Sequence, residues 1–382
     1  MFGAGLICGA YITKVAPALP LQRAELGLTL VESGFIATTF NVMGGLAGIL
    51  AGTMGDRFGH RRLALAGLAI LTVSGFLGAL AWNFPVLLAS RFLEGIGFIL
   101  FTVTATTLMA TAAHGARDRA KALGLWSAYM PAGGGLALLI APPIIAAWSW
   151  RGLWVLLALG AAACFALAAR HAPAPKHGGI TSIRLIAETL AQPGCIALAA
   201  LFAFYVAQWS SVMVWLPTFL VDERGTSPST AAFLTALMVL ANAPGNIAGG
   251  WLLAHGTHRA STIVAASAAM ALCSAGMLGP WLPDAARYLL CLVFSACAGV
   301  IPGAIFSGLP VHAKTPQHVG TANGLVLQMS QAGQFCGPIA LAWLASRHGG
   351  WGATLWAMLA FAAGGALCGF ALARIERDKM AR

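Results

Sequence analysis

Apolar stretches recur along the whole chain, parted by short gaps rich in charged residues, Gly and Pro. Each runs for about 20 residues, the length a helix needs to cross the hydrocarbon core of a bilayer. Read between these breaks, the pattern predicts twelve helical spans, at 2–20, 31–53, 63–82, 86–110, 122–147, 151–169, 194–220, 229–253, 261–281, 285–311, 321–345 and 352–373. One long polar segment interrupts them, RHAPAPKHGGITSIRLIAETLAQ at 170–192. It divides the chain into a six-span half at 1–169, a linker at 170–193, a second six-span half at 194–373 and a tail at 374–382.

Composition agrees with this class. Hydrophobic residues make up 59% of the 382 and charged residues 9%, against roughly 25% charged in a soluble domain. So few charges could not cover a soluble protein of this length, and the chain reads as an all-α polytopic membrane protein. A net charge of +11 would suggest nucleic acid in a soluble protein; here its distribution matters more. With both termini in the cytoplasm, fifteen Lys and Arg fall on the cytoplasmic side and five on the other, while Lys14 and Arg91 sit inside spans. That bias is the one that orients membrane proteins, and it implies a multi-pass protein of the bacterial inner membrane. The first span has no basic leader and reads as a true span, not a cleaved signal. The eight cysteines form no CxxC and lie in apolar runs, where small residues serve helix packing.

The two halves echo each other. The fifth span begins ALGLWSAYMPAGG and the eleventh ANGLVLQMSQAGQ, with Gly124 and Gly133 matching Gly324 and Gly333. An aromatic re-entry follows each, SWRGLW and GGWGATLW. Weak internal symmetry of six-span halves is a signature of secondary transporters.

The densest charge cluster, GTMGDRFGHRR at 52–62, lies in the turn between the second and third spans. In Gly52, Asp56, Arg57, Gly59 and Arg61 it resembles the G-x-x-x-D-R-x-G-R-[RK] turn of the major facilitator superfamily, with His60 where an Arg is common and Arg62 adding a charge. Arg91 in RFLEGIG is similar to the family's fourth-helix motif. A G-x8-G-x3-G-P spacing, which in the family's proton-coupled antiporters marks the fifth helix, stands here in the eleventh span as Gly324, Gly333, Gly337 and Pro338. The resemblance covers essentially the whole chain. It implies two pseudo-symmetric six-helix halves and a role for Gly52, Asp56, Arg57, Gly59, Arg61 and Arg62 as a conformational latch, with the arginines pairing acids of neighbouring loops such as Asp118. The plainer reading of the turn is topological anchoring. The stretch FYVAQWSSVMVWLPTFLVDERGTSPSTAAF at 204–233 is similar to the cyanate/nitroimidazole permease branch.

The resemblance further implies that spans one, four, seven and ten line a central cavity, that two, five, eight and eleven flank it, and that three, six, nine and twelve face lipid. Polar side chains avoid lipid, and they sort accordingly: the interiors of spans three, six, nine and twelve hold no charge, amide or Tyr. Lys14, one turn after Tyr11, costs ~2.5–3.5 kcal/mol on insertion. It either meets an anionic substrate or snorkels to the outer edge, which Pro17 and Pro20 place nearby. Arg91 and Glu94 share a helical face; they form an internal ion pair, or Glu94 is the proton-coupling acid with Arg91 tuning it. Tyr205, Gln208 and Trp209 on span seven, and Gln328 and Gln331 on span eleven, complete the candidate substrate-binding set, with Gln334 continuing the stripe.

These features point to a secondary active transporter that moves a small solute, an organic or inorganic anion, by alternating access, with a co-transported proton if Glu94 titrates. Proton-coupled efflux of hydrophobic compounds is the alternative, and a non-transporting membrane sensor on the same fold is another. No nucleophile–base motif, metal-ligand cluster or phosphate loop supports an enzyme, a cofactor or a metal. The expected partners are a small-molecule substrate and the lipid bilayer, without nucleic acid, in a monomer.

Overall fold

A computed structural model describes residues 1–46, 58–112, 129–171 and 183–380. Among the described residues the chain is helical and holds no strand. Every predicted span has a helical counterpart, but several are broken, fused or lengthened.

The first span is two helices, α1 at Phe2–Thr13 and α2 at Val15–Leu26, bent by 42° at Lys14. Pro17 has no N–H to give the Thr13 carbonyl four residues back, which weakens the helix at that turn. The span was expected to end at 20; it runs on through Pro20 to Leu26, where Gly27 closes it. The second span opens with α3, Leu30–Thr38, whose start is fixed by a capping box between Thr29 and Glu32. A 3₁₀ turn follows at Thr39–Asn41. Then come α4 at His60–Ala79 and α5 at Phe84–Ala112. The fifth and sixth spans form one run, α6 at Tyr129–His171, broken only at Trp148 and at Ser149, whose φ is 59°. The linker contains a short helix, α7 at Ile183–Leu190.

The remaining elements are α8 at Pro193–Arg224, α9 at Pro228–Leu240, α10 at Asn242–Ala254, α11 at Arg259–Leu278, α12 at Asp284–His312, α13 at Pro316–His348 and α14 at Thr354–Met380. Among the described residues eight helices are singly long and apolar enough to cross a membrane, and nine if the bent α1–α2 pair is one span. The number falls below twelve because the fifth and sixth spans count once in α6, α13 is not among the helices counted, and part of the second span lies outside the described residues.

The chain divides into two compact units, Met1–Ile180 with Val214–Ala236, and Thr181–Met213 with Leu237–Arg382. In the first, α1 and α4 both pack on α6, and α4 packs on α5. In the second, α11 packs on α12 and α14, and α10 on α12. Glycine sets the closest approaches. A side chain on Gly133 of α6 would collide with the Leu6 carbonyl of α1, and one on Gly333 of α13 with the Ala203 carbonyl of α8. Of the paired glycines read from the sequence, Gly133 and Gly333 thus do the same work in each unit, while Gly124 lies outside the described residues.

The first unit is also tied together away from its centre. Arg151 of α6 donates to the carbonyls of Ala79 at 3.1 Å and Ala81 at 2.7 Å, pairs with Glu25 at 2.6 Å and stacks on Trp150. Trp150 Nε1 donates to the other oxygen of Glu25 at 2.6 Å. Arg23 of α2 pairs with Asp222 of α8 at 2.6 Å, inside this unit.

Candidate functional site

The bend between α1 and α2 puts Lys14 at the weakest point of that span. Its side chain is 0% exposed, so it does not snorkel to an edge. Its Nζ donates to Glu94 Oε1 of α5 at 2.8 Å. It also sits 4.0 Å from the centre of the Tyr11 ring and 4.2 Å from that of Trp154 on α6. Tyr11 is held in turn by its hydroxyl, which donates to the Leu71 carbonyl of α4 at 2.8 Å.

Arg91 pairs with the other oxygen of Glu94 through Nη1, one helical turn away. Its Nη1 also donates to the Tyr11 carbonyl and its Nε to the Ile36 carbonyl, both at 3.1 Å. The guanidinium lies 4.8 Å from the Phe40 ring centre. Its Nη2 is buried without a hydrogen-bond partner among the described residues. Arg91 and Glu94, like Lys14, are 0% exposed. Two buried cations therefore share one carboxylate, and with all three groups ionised the cluster holds one more positive than negative charge among the described residues. Single buried charges are costly unless paired, and a charge inside a membrane span marks a functional site by default.

The candidates of the second unit form a neutral hydrogen-bonded set. Gln208 of α8 is buried and donates to the Met358 carbonyl of α14 at 3.0 Å and to Ser274 Oγ of α11 at 3.4 Å. It therefore sits among α8, α11 and α14, the last two in spans nine and twelve, which the family resemblance turns towards lipid. Trp209 Nε1 donates to Ser295 Oγ of α12 at 3.0 Å. Asn242 of α10 donates to the Ser295 carbonyl at 3.0 Å and approaches the Tyr205 hydroxyl at 3.5 Å. On α13, Gln334 donates to Gln331 at 3.0 Å, and Gln328 keeps a buried Oε1 without a partner among the described residues.

Gly52, Asp56, Arg57 and Asp118 lie outside the described residues. Gly59, with φ 93°, precedes the first turn of α4, a backbone that other residues rarely adopt. Arg61 donates to the Ala169 carbonyl at the end of α6 at 2.6 Å, and Arg62 is exposed. Sequence reasoning missed Trp154, Phe40, Asn242 and Ser295 as partners of the candidates. Trp154 left a signal as the last residue of the re-entry SWRGLW, and Asn242 as an amide inside the apolar run of span eight.

Comparison with known proteins finds relatives along the chain. The family model described as Major Facilitator Superfamily matches residues 1–331. The "Probable sulfoacetate transporter SauU" of Cupriavidus necator is 27% identical over 372 residues, covering 89% of this chain and 85% of that protein. The "Cephamycin export protein CmcT" of Amycolatopsis lactamdurans is 30% identical over 174 residues, 45% of this chain and 35% of that one. Among solved structures, a bacterial homologue of the human lysosomal transporter Spinster, inward-facing and unoccupied, superposes with a TM-score of 0.79 at 19% identity, over 98% of this chain and 95% of that one. A D-xylose–proton symporter superposes with a TM-score of 0.76 at 16% identity, over 97% and 95%.

Proposed function

We propose, from the premise that the chain belongs to the Major Facilitator Superfamily, that this membrane transporter of a small solute carries an anion, and that Lys14 and Arg91 bind it. The observation that carries the reading is the surplus of buried positive charge around Glu94. An anion entering beside Lys14 or at the unpartnered Nη2 of Arg91 would balance that charge. Charge-assisted bonds of this kind are the stronger ones, and a guanidinium presents a donor fork that matches a carboxylate; a sulfonate offers the same acceptor oxygens. The SauU relative, similar along most of the chain, bears the name of a sulfonated carboxylate.

Glu94 supplies the coupling in this reading. While ionised it occupies both cations and competes with substrate. A proton on Glu94 removes the competing charge and leaves Lys14 and Arg91 to the anion, so the two move together. The protein works in the bacterial inner membrane with both termini in the cytoplasm, as a monomer.

Efflux of a hydrophobic compound is the second reading. Its support is the likeness to named exporters, which spans about a third of the exporter's length, and the neutral character of Tyr205, Gln208, Trp209 and Asn242.

A thermal-shift screen of the purified protein separates the two, since a ligand of the native state raises the melting temperature. The probes are small carboxylates, sulfoacetate, cyanate, nitrate and lipophilic cations, with Lys14→Ala beside the wild type. Stabilisation by an anion that disappears in Lys14→Ala is the expected result. Stabilisation by lipophilic cations alone, unchanged in the variant, would sink the anion reading.

A further inference from the structure

We infer that Trp154 is a positioning residue: with Tyr11 it forms a two-ring cage that holds the Lys14 ammonium against Glu94. The inference rests on the reading of Lys14 as the anion-binding cation, and it brings into the site a residue of span six, which the family resemblance turns towards lipid.

Three observations carry it. First, Lys14 Nζ lies close to both ring centres, at 4.0 and 4.2 Å, while its single anionic contact is shared with Arg91. A desolvated cation gains most from a ring face, and Trp offers the strongest one. Second, the indole N–H of Trp154 is buried with no hydrogen-bond partner among the described residues. A buried indole normally aims that group at an acceptor. Here the ring forgoes that bond in an orientation that brings Lys14 within 4.2 Å of its centre. Third, α4 is cut away to seat both rings. A Cβ on Gly78 would lie 2.6 Å from Trp154 Cδ1, and one on Gly75 would collide with the Tyr11 hydroxyl. Glycines three apart on one helix lie on the same face, so a single surface of α4 receives the two walls of the cage.

The cage gives the long, flexible Lys14 side chain one place to be. Without it the ammonium would have only Glu94 to fix it, and Glu94 also answers to Arg91. Positioning through ring faces leaves the donors of Lys14 free for oxygen ligands, because a ring does not compete as a hydrogen-bond acceptor in the way a second carboxylate would.

The test is a set of double-mutant cycles on the full-length protein in detergent, read as melting temperature. Trp154→Leu is made in three backgrounds, wild type, Lys14→Arg and Lys14→Met. The cage predicts a coupling of about 2–4 °C between Trp154 and a cation at 14, the shift expected for one desolvated cation–ring contact. That coupling persists with Lys14→Arg and vanishes with Lys14→Met, whose side chain packs but carries no charge. Trp154→Phe retains part of it. Equal losses in all three backgrounds would show an ordinary packing residue and overturn the cage. If Trp154→Leu does not fold, Gly78→Ala, which displaces the ring, enters the same three backgrounds and decides the matter by the same comparison. Failure of the anion reading looks different: Lys14→Ala leaves ligand-induced stabilisation intact while the coupling between 14 and 154 remains.

Discussion

Lys14 and Glu94 stand eighty residues apart in the chain and meet at 2.8 Å, with neither side chain exposed. The same carboxylate is taken on its other oxygen by Arg91. Glu94 is therefore the keystone of the first unit's charged centre, and its removal leaves two buried cations facing each other.

Glu94→Gln is expected to destabilise the protein by ~3–5 kcal/mol, the usual effect of removing one partner of a buried ion pair. The double variant Lys14→Met/Glu94→Gln removes one of the stranded cations and recovers much of that loss. Thermal unfolding in detergent checks both. A Glu94→Gln protein as stable as the wild type would mean that the cluster is solvated in solution.

Arg151 makes a second, separate prediction. It joins the ends of α4 and α6 through the Ala79 and Ala81 carbonyls and Glu25. Arg151→Ala should cost about 1–3 kcal/mol, the range for losing hydrogen bonds made by a charged group. Arg151→Lys should recover little, since an ammonium lacks the planar fork that reaches two carbonyls and a carboxylate together. Substrate-induced stabilisation should survive in both variants, which separates this network from Lys14.

Gly133→Val and Gly333→Val should each destabilise by roughly 1–3 kcal/mol or more through overpacking against a neighbouring carbonyl. Gly250→Ala on α10 is the control. No atom lies within 4 Å of where its Cβ would stand, and a helical Gly→Ala change there should be neutral or stabilising by about 0.5–1 kcal/mol. Expression yield and melting temperature read all three.

Asp56→Asn tests the turn between the second and third spans. If the turn is a latch, transport falls while membrane insertion and yield stay normal. A correctly inserted variant that transports at the wild-type rate leaves the turn with topological anchoring alone.

Much of this was legible in the sequence because bilayer length and charge placement are one-dimensional signals. Runs of apolar residues locate helices without any knowledge of their neighbours, and the Gly133/Gly333 echo is visible as spacing. The bend at Lys14 was less so. Pro17 and Pro20 suggested an exit, yet the helix continues, because Pro17 sits within the first turn of α2, where a missing N–H matters little to α2 itself. Individual partners were not readable. Arg91 and Glu94 announced each other by their i, i+3 spacing, but Lys14 meets Glu94 through packing of α1 on α6 and of α4 on α5 and α6, which no local pattern encodes. Gln208 shows the limit most clearly. Its place in the candidate substrate-binding set rested on span seven alone, and the partners its amide finds, the backbone of Met358 and the hydroxyl of Ser274, lie on other spans.

The break in the first span has a mechanical side. α2 has 12 residues, roughly 18 Å at the usual rise per residue. Swung about Lys14 through even a small angle, its far end would sweep several times the distance moved by the residue at the break. A charge at a fulcrum would keep its contacts if the arm beyond it travelled, once the Arg23–Asp222 and Glu25–Arg151 ties of that arm were released. Placed at Leu26, the same ammonium would be carried away from Glu94 by every such swing; at position 14 it can stay bound to the carboxylate while the arm moves.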